Sequence, residues 1–221
     1  MTRARFICLL TFFTLGLSAC NGSITFGQDI EPVGELVTVP FDVDDFDSIE
    51  VSNGFDAFIE IGDTTLVEVI VNEGLIEKLD IRVRNGELKI GLKSGVSVNN
   101  GSLEAMIQVP SLEEIEVSGS GSTDIVGFDG DSLVVDISGA SDLTVEGTAT
   151  TVSIDGSGAG NIDVRLDGVQ TATIDLSGAR SLDLAQVDRV TGDMSGASSM
   201  RVPAHTDVDV DTSGASSISR S

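Results

Sequence analysis

Leu133-Val134-Val135-Asp136-Ile137-Ser138-Gly139-Ala140-Ser141-Asp142-Leu143-Thr144-Val145 sets a pattern that returns four more times. It recurs from Val152 to Val164, Ala172 to Leu184, Val190 to Val202 and Val208 to Arg220. Each copy has a short alternating apolar run, then Ser-Gly-Ala, then a second alternating run. Counting an earlier corner at Ser120-Gly121-Ser122, the corner serines are 120, 138, 157, 177, 195 and 213, a step of 18 to 20 residues. A repeat near 20 residues with apolar strands on both sides of a small-residue corner predicts an all-β solenoid. One coil cannot bury its own apolar side, so stacked coils must build the core together.

Take each corner serine as position zero. Positions −5 and −3 are then apolar in nearly every coil (Leu133 and Val135, Val152 and Ile154, Ala172 and Ile174). So are +5 and +7 (Leu143 and Val145, Ile162 and Val164, Leu182 and Leu184). These positions are expected to point inward. In the first coil the same count places Ile115, Val117, Ile125 and Gly127 there. The corner is expected to take only small residues, since a tight bend needs glycine backbone and leaves room inside for a methyl group at most. Glu146 to Thr151, Arg165 to Thr171, Ala185 to Arg189 and Pro203 to Asp207 read as a looser third side.

Upstream, Ile49/Val51, Phe55/Ala57/Ile59/Ile61, Val67/Val69/Val71 and Ala105/Ile107/Val109 alternate with polar residues, the period of half-buried strands. Leu75 to Leu79 has room for one helical turn. Asn85-Gly86, between Ile81/Val83 and Leu88/Ile90/Leu92, predicts a tight hairpin. Residues 36–117 thus read as N-terminal β coils with a hairpin excursion, and 118–221 as the repeat coils of the same solenoid.

The first residues read as an address. Met1 to Arg5 is a short basic stretch and Phe6 to Leu17 a twelve-residue apolar one, too short to span a bilayer as a helix. Leu17-Ser18-Ala19-Cys20 resembles the lipobox of bacterial lipoproteins. That resemblance implies a signal peptide over 1–19, lipidation of Cys20 and a tether over 20–35. The alternative is an ordinary secretory signal cut after Ala19. Asn21 after the cysteine implies outer-membrane sorting. The other cysteine, Cys8, leaves with the leader, so the processed chain has no thiol for a disulfide or a nucleophile.

The formal net charge is −24, and −26 once Arg3 and Arg5 are removed. Acids outnumber bases 20 to 5 over residues 21–117 and 16 to 5 over 118–221. Such a surface repels nucleic acid and anionic lipid headgroups.

Phe46-Asp47-Ser48-Ile49-Glu50-Val51, the run Phe55 to Gly62, Gly86-Glu87-Leu88-Lys89-Ile90, Val109-Pro110-Ser111-Leu112 and Val117-Ser118-Gly119-Ser120-Gly121 occur in that order before the repeats. In this order the chain, over about residues 45–221, resembles the auto-transporter adhesin head family, the head GIN domain. The resemblance implies a right-handed parallel β-solenoid in a secreted or lipid-anchored bacterial protein. It carries over no catalytic residue.

Position −2 holds Asp136, Asp155, Asp175, Asp193 and Asp211 in consecutive coils, with Ser118 in the first. Alternation turns this position outward. Stacked carboxylates about 4.8 Å apart repel by roughly 0.9 kcal/mol per pair even in water. Two things would offset that: hydrogen bonds from the serines or amides of each corner, the favoured reading, or weak Ca²⁺ binding between neighbours. No calcium-loop motif accompanies them.

His205 is the only imidazole. It lies on the third side, away from the corner serines, and reads as a solvated loop residue rather than part of a Ser-His-Asp triad. Arg165, Arg180, Arg189 and Arg201 occupy different coil positions and need not converge. Phe58 breaks the inward alternation of its strand and is the candidate aromatic contact for a protein or polysaccharide partner. Ile218, in the last coil, is the candidate contact for end-to-end self-association.

The sequence reading is therefore a non-enzymatic, lipid-anchored envelope module of adhesin-like or structural type. A carbohydrate-binding or carbohydrate-active protein on the same scaffold is the alternative. No cofactor is expected.

Overall fold

The computed structural model describes residues 28–99 and 101–221. The described residues are mainly strands: β1 (Gln28–Ile30), β2 (Leu36–Phe41), β3 (Ser48–Val51), β4 (Asp56–Ile61) and β5 (Leu66–Asn72). A 3-10 turn over Glu73–Lys78 follows, then β6 (Leu79–Arg84), β7 (Glu87–Leu92), β8 (Val96–Val98), β9 (Leu103–Val109) and β10 (Glu114–Val117). The repeats supply β11 (Ser122–Ile137), β12 (Asp142–Gly156), β13 (Ala159–Asp167), β14 (Thr171–Leu176) and β15 (Ala179–Leu184). Last come β16 (Arg189–Met194), β17 (Ser199–Val202), β18 (Asp207–Thr212) and β19 (Ser217–Arg220).

The strands coil into a parallel β-solenoid of about five turns. On the first face β7, β3, β10, the end of β11, the end of β12, β14, β16 and β18 stack in register. On the second face β9, β4, the start of β11, the start of β12, β13, β15, β17 and β19 do the same. Each backbone pairs with the coil before and the coil after, so the sheet direction runs along the solenoid axis.

Three antiparallel pairings interrupt this order, all near the N-terminal end. β6 folds back on β7 through Asn85 and Gly86, both at positive φ, the hairpin that the Asn-Gly pair predicts. β5 lies antiparallel on β9, and β2 antiparallel on β5. The 3-10 turn sits where a single helical turn is expected and buries Leu75. These additions close the end of the stack, which would otherwise expose apolar interior.

The expected inward positions are buried: Leu133, Val135, Ile154, Ile174, Leu143, Val145, Ile162 and Leu182 among them. The core is wider than that pattern. Position −1 also points inward, with Ile137, Leu176 and Met194 buried. So does the third side, through Phe128, Leu166, Val169, Val187 and Thr206. In the first two coils that side is not loose at all, since β11 and β12 run through it as continuous strands.

The first corner sits two residues earlier than the sequence count places it. Ala140 donates its N–H to the Gly119 carbonyl at 2.7 Å, as Ala159 does to Gly139 and Ala179 to Gly158 at 2.8 Å. Gly119, not Gly121, therefore begins the column. Ile115 and Ile125 pair with Val135 and Val145, and Thr123 takes the place expected of a large apolar residue. Thr123 is buried and its hydroxyl finds no hydrogen-bond partner among the described residues.

The corner glycines take the positive φ that the bend was expected to need, but the limit on size has a different source from the one expected. A Cβ on Gly158 would stand 2.1 Å from the carbonyl oxygen of Gly139, and one on Gly178 would stand 2.2 Å from that of Gly158. The limit is the backbone of the coil below, not the space inside. The corner alanines are exposed, and the interior behind them is roomy enough for an arginine.

Candidate functional site

That arginine is Arg180, which is 1% exposed. It stands three residues past its corner serine, where other coils carry serine. Ser141 and Ser198 donate their hydroxyls to the carbonyls of their own corner serines, Ser138 and Ser195, at 2.8 and 3.0 Å. The coil of Ser157 has Gly160 in that place and no hydroxyl to give. Arg180 reaches back from the next coil instead. Its Nε and Nη2 donate to the Ser157 carbonyl at 2.9 and 2.8 Å, and its Nη1 to that of Ser141 at 2.7 Å. Burial pushes the guanidinium down from its ordinary value, while nearby Asp142 pulls it up. Arg180 is thus a structural staple inside the solenoid.

The corrected register lengthens the row of acids on the first face. Glu116, not Ser118, pairs with Asp136, and Glu50 pairs with Glu116. The outward row reads Lys89, Glu50, Glu116, Asp136, Asp155, Asp175, Asp193, Asp211, one residue per stacked strand. Lys89 forms an ion pair with Glu50 at one end. The expected hydrogen bonds from the corners are not made: among the described residues none of the five aspartates accepts one or joins an ion pair. The corner hydroxyls of Ser141, Ser198 and Ser216 turn to backbone carbonyls instead. Burial, then the charges of Asp136 and Asp175, raise the Asp155 carboxyl above its ordinary value. Burial, then Glu50, Asp136 and Glu87, raise that of Glu116, with Lys89 opposing. No three His, Cys, Asp or Glu among the described residues converge on a point suited to a metal ion. The ladder is a line of separate charges.

Elsewhere the acids are interleaved with donors. On the third side Thr148 donates to Asp129 at 2.8 Å and Gln186 to Asp167 at 2.6 Å. Arg165 bridges Glu146 and Asp163, Arg189 bridges Asp207 and Asp209, and Arg201 pairs with Asp183. These arginines are dispersed and do not form a common pocket. His205 is exposed on the third side, and no hydrogen bond joins it to a serine or to Asp207 among the described residues.

The second face differs near its N-terminal end. Phe58 is 41% exposed and sits directly beside Met106, which is 45% exposed. Leu66, also 45% exposed, lies diagonally across from Met106 on β5. Asp124 and Glu68 flank the pair along the row, Asp56 and Glu60 along β4, and Glu104 along β9. None of these five carboxylates is in an ion pair among the described residues. Asp56 accepts from the Ser122 N–H and hydroxyl at 2.8 and 2.9 Å, and Glu104 from the Ser102 hydroxyl at 2.6 Å. The exposure of Phe58 was legible from its broken alternation. Met106 was not singled out, although Ala105, Ile107 and Val109 facing inward force it outward.

Ile218 is half-buried in the last described coil and pairs with Met200. Arg220 donates to the Thr206 carbonyl at 2.6 Å and so covers part of this last described coil. Cys20, and with it the lipobox and half of the tether, lies outside the described residues, while the described half, 28–35, carries β1, which pairs with β8. No helix among the described residues is long and apolar enough to cross a membrane.

The stacked faces, the glycine column and the antiparallel cap define a parallel β-solenoid whose surface, not its interior, is available for contact. The chain belongs to the family described as putative auto-transporter adhesin, head GIN domain, whose model matches residues 45–221. The fold is shared with a crystal structure of a putative adhesin from Bacteroides fragilis at 18% identity. That match covers 87% of this chain and 100% of the other, with a TM-score of 0.68. A putative adhesin from Parabacteroides merdae matches at 19% identity, covering 87% and 99%, with a TM-score of 0.56. A structure from Parabacteroides distasonis, named a putative lipid binding protein, matches at 18% identity, covering 88% and 100%, with a TM-score of 0.54. No curated protein matches the chain.

Proposed function

We propose that this protein is a non-enzymatic interaction module of the bacterial cell envelope, held there by a lipid on Cys20 and presenting the faces of its solenoid to a partner. The observation that carries the reading is the second face. An exposed Phe58–Met106 pair on a rigid, in-register sheet is a surface built for contact, and the family's description as an adhesin head agrees with it. A contiguous exposed apolar patch rimmed by polar residues marks an interaction site. The lipobox resemblance of Leu17 to Cys20 supports the anchor, and Asn21 supports the outer membrane. A carbohydrate-binding reading would want aromatic platforms, and Phe58 is the one exposed aromatic ring among the described residues.

The test is adhesion. Beads coated with the protein are layered on envelope fractions and washed, against beads coated with a soluble protein of matched negative charge. The reading expects saturable retention above the control that free protein competes away. Retention equal to the control, or release of a low-molecular-weight product from the envelope fraction, would contradict it.

A further inference from the structure

We propose that the Phe58–Met106–Leu66 patch is the docking site for a cationic segment of a partner protein, one that places an apolar side chain between lysines or arginines. This rests on the interaction-module reading and names the class of partner. The argument begins from what the patch would leave behind. Phe58, Met106 and Leu66 give an apolar strip two strands wide with a third side chain on the diagonal. Asp56, Glu60, Glu68, Glu104 and Asp124 surround it, and no arginine or lysine pairs with any of them among the described residues. Covering the strip with an apolar surface alone would desolvate these carboxylates without compensation, which is unfavourable. An occupant must bring cations to the rim and an apolar group to the centre.

That requirement sorts the possible occupants. Anionic lipid and nucleic acid add like charge to the rim. A second copy of this chain is poorly suited. Its own face would set acids against acids, and among its described cations only Lys78 and Arg84, at either end of β6, are outside an ion pair or a side-chain hydrogen bond. A basic segment of another protein meets both needs. Methionine at the centre adds a pliable thioether that accepts apolar side chains of differing shape, so the site selects by charge pattern more than by a fixed outline.

The test uses a fluorescein-labelled heptapeptide, Lys-Leu-Lys-Phe-Lys-Leu-Lys, with labelled Lys-Ser-Lys-Ser-Lys-Ser-Lys as its charge-matched partner. Binding to the purified protein is read by fluorescence anisotropy. The expected result is saturable binding of the apolar-basic peptide, weakened at least tenfold by Phe58→Ser with Met106→Ser. The Ser-containing peptide should bind more weakly and ignore those substitutions. A second variant, Glu60→Lys with Asp124→Lys, keeps the apolar pair and should abolish binding of the apolar-basic peptide. Far-UV circular dichroism establishes that both variants remain folded. The proposal is overturned if the two peptides bind alike and neither variant changes them, since diffuse charge then explains everything. It is also overturned if the apolar-basic peptide does not bind, or if phosphatidylglycerol vesicles bind through Phe58. Bead adhesion that persists while peptide binding fails would sink this site and leave the interaction-module reading standing. Loss of both would sink the reading.

Discussion

Replacing Arg180 with alanine should destabilise the solenoid more than any other arginine substitution. The side chain is fully buried and gives three hydrogen bonds to the carbonyls of Ser157 and Ser141. Each buried carbonyl left without a donor costs about 1–3 kcal/mol. The vacated Cγ and Cδ methylenes add about 1.6 kcal/mol of lost burial. Against this, a guanidinium no longer has to be desolvated, which returns several kcal/mol. The net expectation is a loss of about 3 kcal/mol. At about 2–4 °C per kcal/mol for a chain of this size, the melting temperature should fall by about 6–12 °C. Arg180→Lys should lie between, because an ammonium cannot span both carbonyls as the planar fork does. The control is Arg201→Ala, which removes one exposed ion pair with Asp183 and should cost less than about 1 kcal/mol. The chain has no Trp or Tyr, so the assay is thermal melting by far-UV circular dichroism. If Arg180→Ala melts within about 2 °C of the parent, the staple reasoning is wrong.

Other consequences follow from the register, the ladder and the leader. Ile174 faces inward between Ile154 and Gly192, so Ile174→Asp should cost several kcal/mol while outward Thr173→Asp costs little; equal melting temperatures would show the faces misassigned. The Asp155 carboxyl is raised in the folded state, so folding takes up a proton as pH falls from neutrality toward its ordinary value of 3.8. Stability from this group should therefore rise through that window and level off below it, the reverse of a salt-bridged carboxylate. Asp155→Asn should flatten the rise and, by removing two neighbours' repulsion, stabilise the fold by up to about 1 kcal/mol at low salt, with the gain shrinking as salt is added. Because the ladder's acids stand singly, Ca²⁺ and Mg²⁺ should raise the melting temperature alike; a rise peculiar to Ca²⁺ and lost in Asp155→Asn with Asp175→Asn would mean a specific site. Cys20→Ser should move the protein from membrane to soluble fractions, and unchanged retention would refute the lipid anchor.

The solenoid was legible because its constraints are repeated. Valine, isoleucine and leucine at −5, −3, +5 and +7 obey one alternation in coil after coil, and Asn85-Gly86 has few uses other than a tight hairpin. The first corner was misplaced because Ser118-Gly119-Ser120-Gly121 offers two Ser-Gly pairs, and only pairing Glu116 with Asp136 chooses between them. That two-residue slip hid Glu50 and Glu116 from the ladder. Arg180 was hidden by its chemistry, since a charged residue beside a corner reads as surface. The signal was present in Gly160, where the serine that caps its own corner is missing and a donor must come from elsewhere. The antiparallel caps β2 and β5 were not legible as caps, because their alternation is the same as that of a coil strand and direction leaves no mark on it; β6 was, through the Asn85-Gly86 turn. Of the candidate contact surface, Phe58 was visible and Met106 was not, since the neighbour that exposes one to the other lies 48 residues away across a strand pairing.

The central claim is that contact runs through the N-terminal part of the second face and that the acidic ladder on the first face is scaffold. The direct measurement is bead adhesion to envelope fractions by two double variants compared with the parent. Phe58→Ser with Met106→Ser should abolish saturable retention, and Asp175→Asn with Asp193→Asn should leave it unchanged. Retention that survives the first pair and is lost with the second would place the working surface on the ladder and contradict the account.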